Sequence, residues 1–157
     1  MWLDYLLTSF FWRQICIIIS GRGMTEENAF DWPITIYIED TDTGGIVYHA
    51  NYLKFFERGR TELFRSFGVS LQDMLAQGFS FVVRHLEIDY LKGARLDDQL
   101  KVRTWPLKVR KASIEFCQIL VNNEGQCLCK ATVQVACVNP HSMKPIVIPE
   151  HILSEIA

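Results

Sequence analysis

Three acids, Glu39, Asp40 and Asp42, stand within four residues, ahead of a Gly44-Gly45 pair and a histidine, His49, in the run "YIEDTDTGGIVYHANY" from Tyr37 to Tyr52. Asp40 and Asp42 share a parity, so an extended segment would aim both the same way and Glu39 oppositely. Neighbouring carboxylates repel, which keeps one partly protonated or commits each to a different donor, an arrangement suited to general-base or nucleophilic work. Gly44 and Gly45 open backbone angles closed to other residues and let another group approach the main chain. His49 and Ala50 fall at the expected entrance of a helix, where unpaired N–H groups and the positive end of the dipole favour an oxyanion. The spacing sets a carboxylate against a carbonyl-polarising helix end across a glycine turn. The same residues also make a good plain turn, with Asx-type bonds to nearby backbone. A D-x-D pair can begin a cation site too, but a calcium loop needs later oxygen ligands and "GGIVYHAN" offers no acid. On the residues alone, all three readings stay open.

The elements that must position this loop are legible on either side of it. "ITIYI" at 34 to 38, entered through Trp32-Pro33, reads as a strand. From Asn51 to Phe67, large apolar residues at 52, 55, 56, 63, 64 and 67 give the stripe of an amphipathic helix, with Gly59 permitting close approach and Gly68 as the stop. A short helical piece at 71 to 77 follows. After Gly78 the period changes to two: residues 79–91, 98–109, 112–122 and 127–139 read as strands, with "NNEG" at 122 to 125 as a hairpin turn. A strand, a long helix and four strands predict an α+β chain in which a long antiparallel sheet wraps one central helix. The uncovered edge and face of such a sheet predict association between subunits.

Composition narrows the partners. The chain has 157 residues, 49% of them hydrophobic and 22% charged, and a net charge of −2. It fits one globular domain with no general attraction to nucleic acid. Five cysteines, Cys16, Cys117, Cys127, Cys129 and Cys137, lack the spacing of a zinc knuckle and read as thiols of a reducing compartment. No metal and no cofactor are expected. Residues 2 to 19, "WLDYLLTSFFWRQICIII", are apolar but broken by Asp4, Arg13 and Gln14, so they fall short of a membrane span and lack a secretory cleavage pattern. A membrane-surface anchor, a flap on the core and a non-native upstream extension are the three readings. The extension is the expected one, residues 1–23, with Met24 as the true start and a single domain over 24–157.

"EDTDTGGIVYHANYLKFFERGRTELFR" (39 to 65) resembles the hot-dog-fold acyl-CoA thioesterases of the 4-hydroxybenzoyl-CoA thioesterase superfamily, in particular the YbgC branch associated with the Tol-Pal system. "FVVRHLEIDYLKGARLDD" (81 to 98) and "VNPHSMKPIVIP" (138 to 149) look like that branch as well. The resemblance implies hydrolysis of a short- or medium-chain acyl-CoA or acyl carrier protein thioester, with Asp42 as nucleophile or general base and His49 polarising the carbonyl or holding the acyl group. It gives Asp40 an orienting role and has Tyr48 and Tyr52 shape the pocket. It also implies a cytoplasmic homo-oligomer, a tetramer built as a dimer of dimers, with the site between subunits and peripheral membrane association as one further expectation. Coenzyme A carries phosphates, for which Arg84, Lys108, Arg110, Lys111 and Lys144 are weak candidates beside the plain reading of solvated turns. His85, His141 and His151 have no motif around them and read as structural or exposed. Two rival functions stand beside this one: an acyl-binding or scaffolding module of an envelope complex without catalysis, and a hot-dog dehydratase, which the D-x-D-x-x-G loop disfavours.

Overall fold

The structure is a computed structural model that describes residues 24–156. The readings of residues 1–23, Cys16 among them, lie outside the described residues. The elements in chain order are β1 (Phe30–Thr35), a 3-10 turn (Ile38–Asp40), α1 (Asn51–Ser66), α2 (Leu71–Ala76), β2 (Ser80–Tyr90), β3 (Gln99–Arg110), β4 (Ser113–Asn122), β5 (Cys127–Val138) and α3 (Glu150–Ile156). All strand pairings are antiparallel, in the order β1-β3-β4-β5-β2. The expected α+β architecture, one sheet against one long helix, is the observed one.

Period explains which face of α1 is buried. Tyr52, Phe55, Phe56, Gly59, Arg60, Leu63 and Phe64 turn inward, while Lys54, Glu57 and Arg58 face solvent. Phe55, Phe56 and Leu63 are fully buried in one core with sheet residues such as Phe116, Leu120 and Val133. Each such side chain contributes about 1.5–3 kcal/mol of hydrophobic stabilisation. Gly59 lets the helix approach the sheet closely, since a β-carbon there would stand 2.6 Å from Val102 Cγ1. Beneath it lies a polar cluster. Arg60, 5% exposed, donates to Gln118 Oε1 at 2.6 Å and also pairs with Glu57, and Gln118 Nε2 donates to Phe56 O and Thr104 Oγ1, both at 2.9 Å.

Two expectations need correction. The first strand runs earlier than Ile34–Ile38, through Trp32-Pro33, and ends at Thr35. It is an edge strand, which tolerates the proline because the missing N–H costs no ladder bond. The second concerns Ile38–Asp40, which is not extended. Asp40 N donates to Tyr37 O and Thr41 N to Ile38 O, closing a tight turn, so the shared parity of Asp40 and Asp42 does not apply. A further helix, α3, not among the expected elements, follows the sheet, its Ile152 and Ile156 buried. So short a helix gives periodicity too few residues to announce it. The "NNEG" turn is as expected: Asn122 Oδ1 accepts from Glu124 N and Gln126 N, and Gly125 takes φ 78°.

Cys129 and Cys137 of β5 are buried thiols. Burial pushes the Cys129 thiol from 9.0 up to about 12 and Cys137 up to about 11. Well below pH 9.0 both are neutral in folded and unfolded chains alike. Above it the unfolded chain loses these protons while the fold retains them, so stability falls as pH rises toward about 12. Urea midpoints are expected to drop between about pH 8 and about pH 10, and to drop less in a Cys129→Ala, Cys137→Ala double variant.

Candidate active site

The loop between β1 and α1 is a small hairpin built by its own sequence. Thr41 bridges Val47, Asp42 N donates to Ile46 O, and Gly45 N donates back to Asp42 O, the last two bonds each at 3.0 Å. Gly45 sits at φ 71°, an angle that an L side chain resists. Asp42 Oδ1 accepts from Gly44 N at 2.7 Å, an Asx turn. The aspartate is exposed, leaving Oδ2 toward solvent. Glu39 is exposed in the preceding turn.

Asp40 plays a different part. It is 9% exposed, its Oδ2 accepts from Tyr37 N at 2.9 Å, and its carbonyl accepts from both Tyr48 N and Asn51 Nδ2 at 2.9 Å. One buried residue thus ties the acidic turn to the start of α1. Asn51 N then donates to Tyr48 O at 2.8 Å, which folds the chain into the helix. The cap position is Ala50, which has no side-chain oxygen to bond the first N–H groups. Among the described residues, the His49 and Ala50 N–H groups donate to no backbone carbonyl. The helix entrance therefore presents unpaired donors and the positive end of its dipole.

Aromatic rings wall this entrance. Tyr48 and His49 are exposed with ring centroids 4.4 Å apart, and Tyr90, at the end of β2, meets the His49 ring edge-on at 6.3 Å and the Tyr52 ring at 5.4 Å. Tyr52 is buried, and its hydroxyl accepts from Ala94 N at 3.1 Å. Desolvation raises its pKa, so it stays a neutral phenol. Residues 91–98 clasp the hairpin from outside, with Val47 N donating to Ala94 O at 2.8 Å. A β-carbon on Gly93 would stand 2.9 Å from Ile46 Cγ2. Gly93→Ala is therefore expected to displace Ile46 and the hairpin, costing about 1–2 kcal/mol in urea unfolding and reducing kcat along with it.

Asp40, Asp42, Gly44, Gly45, Tyr48, His49 and Tyr52 thus share one end of the sheet. The basic candidates do not join them within this chain. Arg110 and Lys111 lie in the β3–β4 turn, Lys108 on the last turnward stretch of β3, Lys144 in the loop after β5 and Arg84 in the first half of β2. Strands rise about 3.3 Å per residue, which sets the Arg110 end of β3 about 35 Å from its Gln99 end, where the hairpin docks. His85, His141 and His151 are exposed, His85 beside Glu87 Oε1 at 3.2 Å and His151 edge-on to Phe79. Four residues that the sequence did not single out belong to the site: Asn51, Tyr90, Gly93 and Ala94. Asn51 reads in the sequence only as a helix start, and Tyr90 acts across a separation of 41 residues, for which a single sequence carries no local signal. Among the described residues, no group of three or more His, Cys, Asp or Glu could hold a metal, and no helix is long and apolar enough to cross a membrane.

Comparison with known proteins gives this geometry a context. Residues 36–156 match the Thioesterase-like superfamily. The chain is 45% identical over 126 residues to the acyl-CoA thioester hydrolase YbgC of Escherichia coli O6:H1, covering 80% of this chain and 94% of that protein. It is 48% identical over 127 residues to the acyl-CoA thioesterase YbgC of Haemophilus influenzae, covering 80% and 93%. Among solved structures, a probable thioesterase from Bartonella henselae superposes with a TM-score of 0.72 at 36% identity, covering 76% of this chain and 98% of that one.

Proposed function

Because this chain belongs to the thioesterase-like superfamily and has the hot-dog fold of its acyl-CoA thioesterases, we propose that Asp42 and the helix entrance at His49 carry its thioester hydrolysis. The activity class, cleavage of an acyl-CoA to free acid and thiol, follows from the relatives. The observation that supports the site is the pairing of an exposed carboxylate, held by a glycine turn, with helix N–H groups that no cap satisfies.

The chemistry needs two things at once: a group acting on the carbonyl carbon and donors for the oxygen that becomes negative. Helix N–H groups meet the second need, because they are already oriented and gain strength as charge develops. Asp42 meets the first in one of two ways. As a base it takes a proton from water; the hydroxide adds to the carbonyl carbon, the C–S bond breaks and the thiolate takes up a proton. As a nucleophile it forms a mixed anhydride with expulsion of the thiolate, and water then cleaves the anhydride. In single-turnover hydrolysis in oxygen-18 water, label appearing in Asp42 identifies the nucleophilic route, with water adding to the aspartyl carbon of the anhydride.

A paired subunit supplies what one chain lacks. Of the two sheet edges, β1 is short and carries Pro33, while β2 runs from Ser80 to Tyr90 without proline, its Val83 and Tyr90 about half exposed. A long, proline-free edge is the one suited to pairing with another chain. Two β2 edges joined antiparallel about a twofold reverse one copy against the other. The end bearing Lys108, Arg110, Lys111 and Lys144, with Arg84 partway along β2, then swings toward the other copy's Asp42 and His49, where coenzyme A phosphates need cations. Two such dimers make the tetramer. The substrate in this reading is a short- or medium-chain thioester of coenzyme A or acyl carrier protein. Its place is the reducing cytoplasm, in keeping with the buried thiols of Cys129 and Cys137, and at the inner membrane surface if it serves Tol-Pal.

One observation favours a rival: Asp42 Oδ1 is spent on the Gly44 N–H, as in a plain turn of an acyl-binding module. Thiol release from acetyl-, butyryl-, benzoyl- and longer acyl-CoAs, with sedimentation at the assay concentration, tests the whole reading. Turnover by a dimer or tetramer is expected. Binding without thiol release would leave the module.

A further inference from the structure

Tyr90 stands at the end of β2, 47% exposed, and its hydroxyl donates to the carbonyl of His49 at 3.1 Å. That carbonyl is the acceptor half of the peptide whose other half is the Ala50 N–H, and no peptide among the described residues is cis. A trans peptide is a rigid plane with C=O and N–H pointing opposite ways. Whatever fixes the His49 carbonyl therefore also fixes the direction of the Ala50 N–H. The preceding peptide is fixed by main chain alone: Tyr48 O accepts from Asn51 N at 2.8 Å, which orients the His49 N–H. Among the described residues, no main-chain donor does the same for the second peptide, and the cap residue has no side chain to help. The phenol of Tyr90 fills that gap.

We propose that Tyr90 is a positioning residue of the thioester site, which holds the His49–Ala50 peptide so that the helix entrance keeps its N–H donors aimed at the substrate carbonyl. This rests on the reading of His49 and the helix entrance as the oxyanion side of the site. Two further contacts suit the role. The Tyr90 ring is edge-on to the His49 ring and to Tyr52, so packing sets where its hydroxyl points. Burial raises its pKa, which keeps the O–H donor protonated through the neutral range. The position also links the site to the sheet edge proposed for subunit pairing, since Tyr90 is the last residue of β2.

Tyr90→Phe removes only the hydroxyl and keeps the ring between His49 and Tyr52. With the acyl-CoA that the wild type turns over fastest, kcat is expected to fall about ten-fold while KM stays within about two-fold, because a misaimed oxyanion donor weakens the transition state and not ground-state binding. Thermal midpoints of the two proteins should agree within about 2 °C, as for loss of one exposed hydrogen bond. In protein labelled with nitrogen-15 alanine, the Ala50 amide signal should shift. An unchanged kcat, or a loss confined to KM with the Ala50 amide unmoved, would overturn the role of Tyr90 while leaving the thioesterase reading intact. Should the wild type release no thiol from any acyl-CoA, that reading fails separately; the Ala50 amide then decides alone whether Tyr90 sets the peptide.

Discussion

Asp42→Asn is expected to lower kcat about a thousand-fold, in the range that loss of a general base or its equivalent costs. The substitution is chosen because the two roles of Asp42 respond to it differently. Asparagine keeps an Oδ1 that accepts from Gly44 N, as Asx turns allow. The hairpin therefore survives, with Gly45 at φ 71° and the Thr41–Val47 bridge in place. What asparagine removes is the negative charge and the lone pairs of a carboxylate Oδ2, without which neither proton abstraction nor attack on the thioester carbon proceeds. A plain turn residue would tolerate asparagine with full activity. Thiol release under saturating acyl-CoA measures kcat, and a thermal midpoint matching the wild type shows that the hairpin is intact. Equal rates in the two proteins would remove Asp42 from the chemistry.

Gln118→Leu is expected to destabilise the fold by about 3–5 kcal/mol, a large share of a domain's total stability. Gln118 is fully buried and serves three partners: it accepts from Arg60 Nη1 and donates to Phe56 O and Thr104 Oγ1. Leucine fills similar volume but leaves all three without that partner, one of them a guanidinium beneath the helix. Burial already pushes the Arg60 pKa down, with Glu57 opposing, so the charge is held at a cost. Replacing Arg60 by methionine in the same chain removes the buried charge that has lost its Gln118 partner, and the double variant is expected to recover a substantial part of the loss. Urea unfolding measures both steps. A double variant less stable than Gln118→Leu alone would show that Arg60 contributes more through Glu57 and its packing than it costs.

Much of the fold was legible in the sequence for a simple reason. The α1 stripe and the alternation of the four long strands are repeated many times over, so a single misleading residue cannot erase either period. Short elements have no such redundancy. The 3-10 turn at Ile38–Asp40 lies under a β-branched, aromatic run that favours a strand, and the buried Asp40 carboxylate overrides that preference by bonding Tyr37 N. α3, seven residues long, is too short for its period to show.

The sequence by itself determined the chemistry-bearing loop. Asp42, the glycines and His49 sit within eight residues, so their proximity is covalent, and the main-chain bonds within the hairpin that holds them join residues at most eight apart. It also determined the resemblance that named the thioester. Only the tertiary structure decided that Asp40 is buried and Asp42 exposed. It alone placed Tyr90 and Ala94 against the helix entrance, and it set Lys108, Arg110, Lys111 and Lys144 toward the far end of the sheet. Those facts depend on which strands pair and in what register, and register is fixed by burial summed over the whole sheet. Residues 41 positions apart carry no mark of it until the chain has folded.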